Sequence, residues 1–257
     1  MDDTLLNDQH NISELNKSAL AAAEAKGVKV VISTGRMYSS VGPYLQELAL
    51  KGPTITYNGA LVKRIADDKT LYHHSIPQNH ASKIIELAKQ KDLHFNLYVN
   101  DQLYVNKLGP EAKHYKEIAN VELNLIKDNL AELLKEETTK IVIVDEDTAK
   151  VKKLLKEFRT LFEAEVNIFT SKPSFLEFTR QGVSKGSTLE QLAKDLKIKQ
   201  EEVIAIGDSY NDLEMIDYAG LGVAMDNAVE KLKEKADYIT ASNNHSGVAE
   251  VIKEYII

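Results

Sequence analysis

Val203-Ile204-Ala205-Ile206-Gly207-Asp208-Ser209-Tyr210-Asn211-Asp212 begins as a short apolar run and ends in a polar turn that carries two carboxylates. An unbroken apolar run of this length is the pattern of a strand buried on both faces, as strands are in parallel sheets. The same pattern recurs elsewhere. Val28 to Ile32 runs into Ser33-Thr34-Gly35-Arg36, and Thr54 to Tyr57 ends at Asn58-Gly59. Other stretches take the helical period: Leu15, Ala19, Ala22 and Ala23 before Gly27, a second helix to about Leu50 with Gly52-Pro53 behind it, and a third from Lys185 to about Leu196. Leu221 to Ala224 and Tyr238 to Thr240 add two late strands before a last helix. Strands alternating with helices imply an α/β fold, a parallel sheet with helices on both faces.

Between about Gln78 and Arg180 the strands come in adjacent pairs. Asn96 to Val99 and Leu103 to Asn106 flank Asn100-Asp101, and Val166 to Thr170 and Phe175 to Thr179 flank Ser171-Lys172-Pro173-Ser174, so two hairpins are expected. Helices are predicted over Ala81 to Lys91, Glu111 to Ile118, Asn129 to Lys135 and Thr148 to Phe162, with Lys140 to Val144 as a strand. An α+β module therefore interrupts the α/β core, dividing the chain into core residues 1–77, an inserted module 78–180 and core residues 181–257.

The 257 residues suffice for a sizeable core, with 43% hydrophobic content. A net charge of -7, from 32 basic and 39 acidic residues, argues against nucleic acid and against anionic membrane surfaces as partners. There is no cysteine, which excludes disulfides, thiolate metal sites and cysteine nucleophiles. No apolar run approaches the ~18 residues of a membrane span, and the start lacks a signal-peptide pattern, so a cytoplasmic protein is expected. The sequence carries no signal of an oligomeric state.

In open parallel sheets, ligands collect beyond the carboxyl ends of the strands. Each polar motif stands there. Thr34-Gly35, Asn58-Gly59 and Asp208 all follow a strand, and a second acidic cluster, Asp2-Asp3-Thr4-Leu5-Leu6, opens the chain. Mg2+ takes hard oxygen ligands and keeps several waters, so one or two carboxylates and a substrate phosphate hold it. Asp2 and Asp208 are the candidates, with Ser209 completing the shell. Thr34 offers a hydroxyl and Gly35 an unobstructed amide to phosphoryl oxygens. Lys185 supplies compact positive charge, and Asn211 a side-chain amide. Asp212 is expected to position Lys185. Asn58 and Arg36 are substrate neighbours at most, while core packing or hairpin pairing, ahead of contact with substrate, is the expected account of Tyr115, Phe175 and Glu177. The seven histidines show no metal-ligand spacing; His73 and His74, adjacent on a strand, face opposite ways.

The ordered set D-D-T-L-L, S-T-G-R, Y-N-G-A, V-S-K-G-S and G-D-S-Y-N-D-L-E-M resembles the haloacid dehalogenase superfamily, and in detail its Cof-type sugar phosphatases. The likeness covers essentially the whole chain, including Ala224-Met225-Asp226-Asn227-Ala228 and the inserted module, which resembles that subfamily's cap. The resemblance implies a Rossmann-like core whose site the cap covers, and Mg2+-dependent hydrolysis of a small phosphorylated metabolite, most readily a sugar phosphate. In that family an aspartate two residues before Asp2 attacks phosphorus and becomes an aspartyl-phosphate. Asp2 would then protonate the leaving oxygen and later activate water, while Lys185, Thr34, Gly35 and Asn211 stabilise the transferring group.

Met1 stands between the two family aspartates, contributing a backbone amide, and Asp3 replaces a common glycine. The first core strand and the nucleophile are therefore expected to precede Met1, through a start codon assigned too late, leaving this chain without turnover of its own. Two alternatives accompany this reading. A phosphotransferase or mutase would differ only in the acceptor, and a non-catalytic phospholigand-binding or regulatory protein would keep the fold without the nucleophile. A receiver domain shares the acidic pair, the hydroxyl and the lysine but is about half this length and capless.

Overall fold

Ser13 starts the first helix by accepting a hydrogen bond from the backbone N–H of Asn16, which satisfies one of the free donors of the first turn. Helix α1 (Glu14–Ala25) closes with the N–H of Val28 donating to Ala23, and strand β1 (Ile32–Ser33) follows. Then come α2 (Tyr38–Glu47), β2 (Pro53–Thr56), β3 (Leu61–Arg64) and β4 (Lys69–His73). The inserted stretch holds α3 (Gln78–Gln90), β5 (His94–Val99), β6 (Gln102–Val105), α4 (Pro110–Ala119), β7 (Asn124–Leu125), α5 (Leu130–Leu133), β8 (Thr138–Val144), α6 (Thr148–Phe162), β9 (Val166–Lys172) and β10 (Phe175–Arg180). The chain finishes with α7 (Lys185–Leu196), β11 (Ile204–Gly207), α8 (Leu213–Tyr218), β12 (Leu221–Met225), α9 (Glu230–Lys233), β13 (Tyr238–Thr240) and α10 (Gly247–Tyr255). These elements are those of a computed structural model that describes residues 1–119 and 121–257.

Contacts divide the chain into two units. The first comprises Met1–Gly35, Gly42–Tyr72 and Ser184–Ile257; the second comprises Arg36–Val41 and His73–Val183. In the first unit, β11-β12-β13 is a parallel sheet, with Ile204 opposite Leu221 and Val223 opposite Tyr238. The other sheet, β1-β2-β3-β4, is mixed: β1 and β2 are parallel, with Ile32 opposite Thr54, whereas β3 runs antiparallel to β2, with Pro53 opposite Arg64. An all-parallel core is therefore corrected. The turn after β3 carries Asp68 at φ 55°, and Asp67 holds the Arg64 guanidinium at 2.7 Å, which returns the chain as β4 beside β3 where a crossover helix would otherwise run.

The second unit is built on a six-stranded sheet ordered β7-β6-β5-β8-β10-β9. Period-2 alternation aims Phe95 and Leu97 of β5, Ile141 and Ile143 of β8, and Leu176 and Phe178 of β10 into one buried cluster with Ile84, Ile85 and Phe158 of α3 and α6. Burial stabilises by about 1.5–3 kcal/mol for each such side chain. Asn96, Tyr98, Lys140 and Glu177, also buried, occupy the alternate positions of these strands. No helix among the described residues is long and apolar enough to cross a membrane.

Candidate active site

Ser184 caps α7 by accepting the N–H of Ser187 at 3.1 Å, and this places Lys185 at the first helical position. The start of α7 lies hard against α8, because a Cβ on Gly186 would stand 2.5 Å from the backbone of Glu214. Lys185 is buried, and its Nζ donates to Asp212 Oδ1 at 2.7 Å. The other oxygen, Asp212 Oδ2, accepts the N–H groups of Asp208 and Ser209, both at 3.1 Å. With both oxygens engaged, Asp212 ties the lysine to the loop after β11. Burial works against its charge, but the Lys185 ammonium, the chain's amino group and these hydrogen bonds outweigh it and hold the carboxyl below the ordinary carboxylate range. Gly207 is needed here, since a Cβ would fall 2.6 Å from that of Asp212.

Asp208 follows β11, as the sequence predicts, and is half-buried. Burial raises its pKa, and the neighbouring Asp212 charge adds to this; the Thr4 hydroxyl, the amino terminus and Lys185 act in the opposite sense. The Thr4 hydroxyl donates to Asp208 Oδ1 across a separation of 204 residues. The loop after β12 secures the same meeting, with the N–H of Val229 donating to the Asp208 carbonyl at 2.9 Å and Asn227 Nδ2 donating to the Asp3 carbonyl at 2.7 Å. The Met1 α-amine is buried beside Lys185, Asp212, Asp208 and Asp2; burial and the lysine charge lower its pKa, and the three carboxylates act in the opposite sense. Asp2 is partly exposed.

Thr34 is buried at the end of β1, its N–H donating to Ile55 at 2.9 Å and its carbonyl accepting from Asn58 N–H at 3.0 Å. Gly35 lies under the Asn58 side chain, whose Oδ1 would be 2.9 Å from a Cβ there. That oxygen accepts from Asn211 Nδ2, also at 2.9 Å. The next residue, Gly59, takes φ 106°, and a Cβ would meet the Ser184 carbonyl at 2.3 Å. Thr188 Oγ1 donates to the Gly59 carbonyl at 3.0 Å. The site residues thus fall in two linked groups, Asp2-Thr4-Lys185-Asp208-Asp212 and Thr34-Gly35-Asn58-Asn211, joined where Asn211 precedes Asp212 and where Gly59 abuts Ser184. Ser209 contributes its backbone N–H to Asp212.

Sequence reasoning passed over Thr4, Asn227 and Thr188. The position of Thr4, two residues after Asp2, and the Ala224-Met225-Asp226-Asn227-Ala228 segment were the available signals. Arg36 belongs to the other unit. So do Tyr115, whose hydroxyl hydrogen-bonds that of Tyr98, and Phe175, whose ring lies tilted against that of Tyr115 with centroids 5.2 Å apart. Glu177 lies there too, paired with Lys140 at 3.2 Å. His73 is engaged with Glu137 at 2.9 Å and Thr139 at 2.8 Å.

Among the described residues there is no group of three or more His, Cys, Asp or Glu that could hold a metal ion. The Thr4 hydroxyl, which reaches Asp208 Oδ1 and lies 3.4 Å from the Asp2 carbonyl, instead brings oxygen donors of the two acidic segments together. Such a set fits Mg2+, which needs few protein ligands and rejects softer donors.

Fold and site together define an α/β protein whose polar site lies at the ends of the core strands. The chain belongs to the haloacid dehalogenase-like hydrolases, whose family profile matches residues 1–252, and within them to the Cof type. It is 35% identical to a putative phosphatase, YxeH, of Bacillus subtilis, the match covering 100% of this chain and 96% of the relative. A 5-amino-6-(5-phospho-D-ribitylamino)uracil phosphatase of the same organism, YitU, is 32% identical over 99% and 95%. Among solved structures, TM0651 of Thermotoga maritima superposes with a TM-score of 0.92 at 36% identity, covering 100% of this chain and 95% of the other. BT4131, described as a subclass IIB sugar phosphatase, gives a TM-score of 0.82 at 26% identity over 99% and 96%. The protein is a phosphoric monoester hydrolase acting on a small phosphorylated substrate.

Proposed function

We propose that the protein hydrolyses sugar or sugar-alcohol phosphates with Mg2+ through an aspartyl-phosphate. The observation that carries this reading is the convergence of the Thr4–Asp208 contact and the buried Lys185–Asp212 pair in one place. The attacking carboxylate belongs to the residue two positions before Asp2. In support, the Met1 amine lies beside Lys185, Asp208 and Asp212, where the preceding backbone would enter the site. Asp2 donates a proton to the leaving alkoxide and later takes one from water, acid and base work worth about 10²–10⁴-fold in rate. Lys185, held ionised by Asp212, neutralises the transferring group. Thr34, Gly35 and Asn211 donate hydrogen bonds to its oxygens. The Asp208 carboxylate and the Asp2 backbone carbonyl would hold Mg2+, leaving the Asp2 carboxyl free for proton transfer, and the ion would supply charge neutralisation on the phosphoryl oxygens.

A ribitylamino phosphate substrate in one relative and a sugar-phosphatase description in another support the substrate class. Residues 78–180 are assigned substrate selection. The test is phosphate release from a panel of sugar, sugar-alcohol and nucleotide phosphates, with and without Mg2+, by this chain and by one extended upstream. Mg2+-dependent release by the extended chain, greatest on sugar or sugar-alcohol phosphates, is expected. Equal rates from both chains would contradict the placement of the nucleophile, and greatest release from nucleotide phosphates would contradict the substrate class.

A further inference from the structure

We propose that Asn58 is a positioning residue that fixes the Asn211 amide and the Gly35 backbone for the phosphoryl group, an inference that rests on the function proposed above. Asn58 sits at φ 55° and ψ 32°, between Tyr57 at φ 52° and Gly59 at φ 106°. Two successive non-glycine residues, Tyr57 and Asn58, in this half of backbone space are costly unless their surroundings enforce them. Here they do: Asn58 N–H donates to the Thr34 carbonyl, Thr188 holds the Gly59 carbonyl, and Gly59 lies against Ser184.

An αL residue in a tight turn has a plain explanation, since asparagine tolerates that conformation. Glycine would adopt it at lower cost, however, so the side chain is what asparagine adds. That side chain reaches both phosphate-binding segments at once. Its Oδ1 takes one hydrogen of the Asn211 amide at 2.9 Å, and because the amide is planar, fixing one N–H fixes the direction of the other. The same oxygen stands over Gly35. One side chain thereby engages two loops more than 170 residues apart in sequence, bonding the Asn211 amide and packing over Gly35.

The experiment is a double-mutant cycle read by calorimetric titration of the whole chain with inorganic phosphate in Mg2+, accompanied by thermal melting. Asn58→Gly keeps the turn and removes the oxygen; it is expected to melt as the wild type does and to bind phosphate about tenfold more weakly, the equivalent of one lost hydrogen bond. Asn211→Ala is expected to cost about tenfold in the wild-type background and nothing in the Asn58→Gly background. In Asn58→Asp, which keeps both turn and acceptor, Asn211→Ala still costs about tenfold, and this arm stands alone if the glycine variant does not fold. Wild-type affinity in Asn58→Gly, or losses that multiply in the double variant, would overturn the positioning role while leaving the phosphatase reading intact. A wild-type chain that fails to bind phosphate would overturn the underlying reading and the inference with it.

Discussion

At the scale of single residues, the Lys185–Asp212 pair decides whether the site carries positive charge. Both side chains are almost fully buried, and removing one partner from such a pair costs about 3–5 kcal/mol, because the other is left charged without compensation. Asp212→Asn is therefore expected to lower stability by that amount, as read by denaturant unfolding. The loss depends on pH. Since the folded carboxyl titrates below its unfolded counterpart, its stabilising contribution is complete above about pH 4 and disappears as pH falls through the depressed folded value. The stability gap between wild type and Asp212→Asn should accordingly be flat from neutral pH down to that point and shrink below it. A gap that grows on acidification would contradict the ion-pair assignment.

Thr4→Val tests the link between the chain's two acidic ends, because the substitution keeps shape and removes the hydroxyl that reaches Asp208. A hydrogen bond to a charged group contributes about 1.5–3 kcal/mol. Denaturant unfolding of the valine variant should show a loss of that size. An unchanged midpoint would mean that the contact is incidental.

At the scale of elements, α7 is the piece that delivers Lys185, and its start was legible in the sequence. Ser184-Lys185-Gly186-Ser187 places a capping hydroxyl ahead of an apolar helical period, and the predicted limits Lys185 to Leu196 are those of the helix. Ser184→Ala should cost about 0.5–2 kcal/mol in thermal or chemical unfolding. Gly186→Ala should cost about 1–3 kcal/mol, since its methyl group would press on α8. If the alanine at 186 proves neutral, the close approach of α7 and α8 is wrong.

What the sequence concealed at this scale is instructive. The β3–β4 hairpin escaped because its strands mix apolar residues with Lys63, Arg64, Lys69 and Thr70, and its turn is made by Asp67-Asp68, without glycine. The role of Thr4 escaped for another reason: its partner is 204 residues away, and no local period encodes such a meeting. Asn58 read as a substrate neighbour at most, because only the fold brings Asn211 to its carbonyl oxygen. Local propensity thus placed the carriers of the site, while tertiary contacts assigned the residues that hold those carriers in place.

At the scale of the whole molecule, a chain of net charge -7 handles an anionic substrate, so attraction must be local. The first unit provides it by holding Lys185 and the backbone N–H groups of the loop after β11 close to Asp208. Lys140 of the second unit is spent on Glu177. The central claim is that the acidic segment at Asp2 and the one at Asp208 form a single Mg2+-dependent phosphatase site. The most direct test measures phosphate release from a sugar phosphate by the chain carrying the residue two positions before Asp2, comparing wild type, Asp2→Asn and Asp208→Asn with Mg2+ and after its removal by chelation. Hydrolysis that requires Mg2+ and falls at least about 10²-fold in each variant is predicted; wild-type rates in either variant, or turnover indifferent to Mg2+, would contradict the claim.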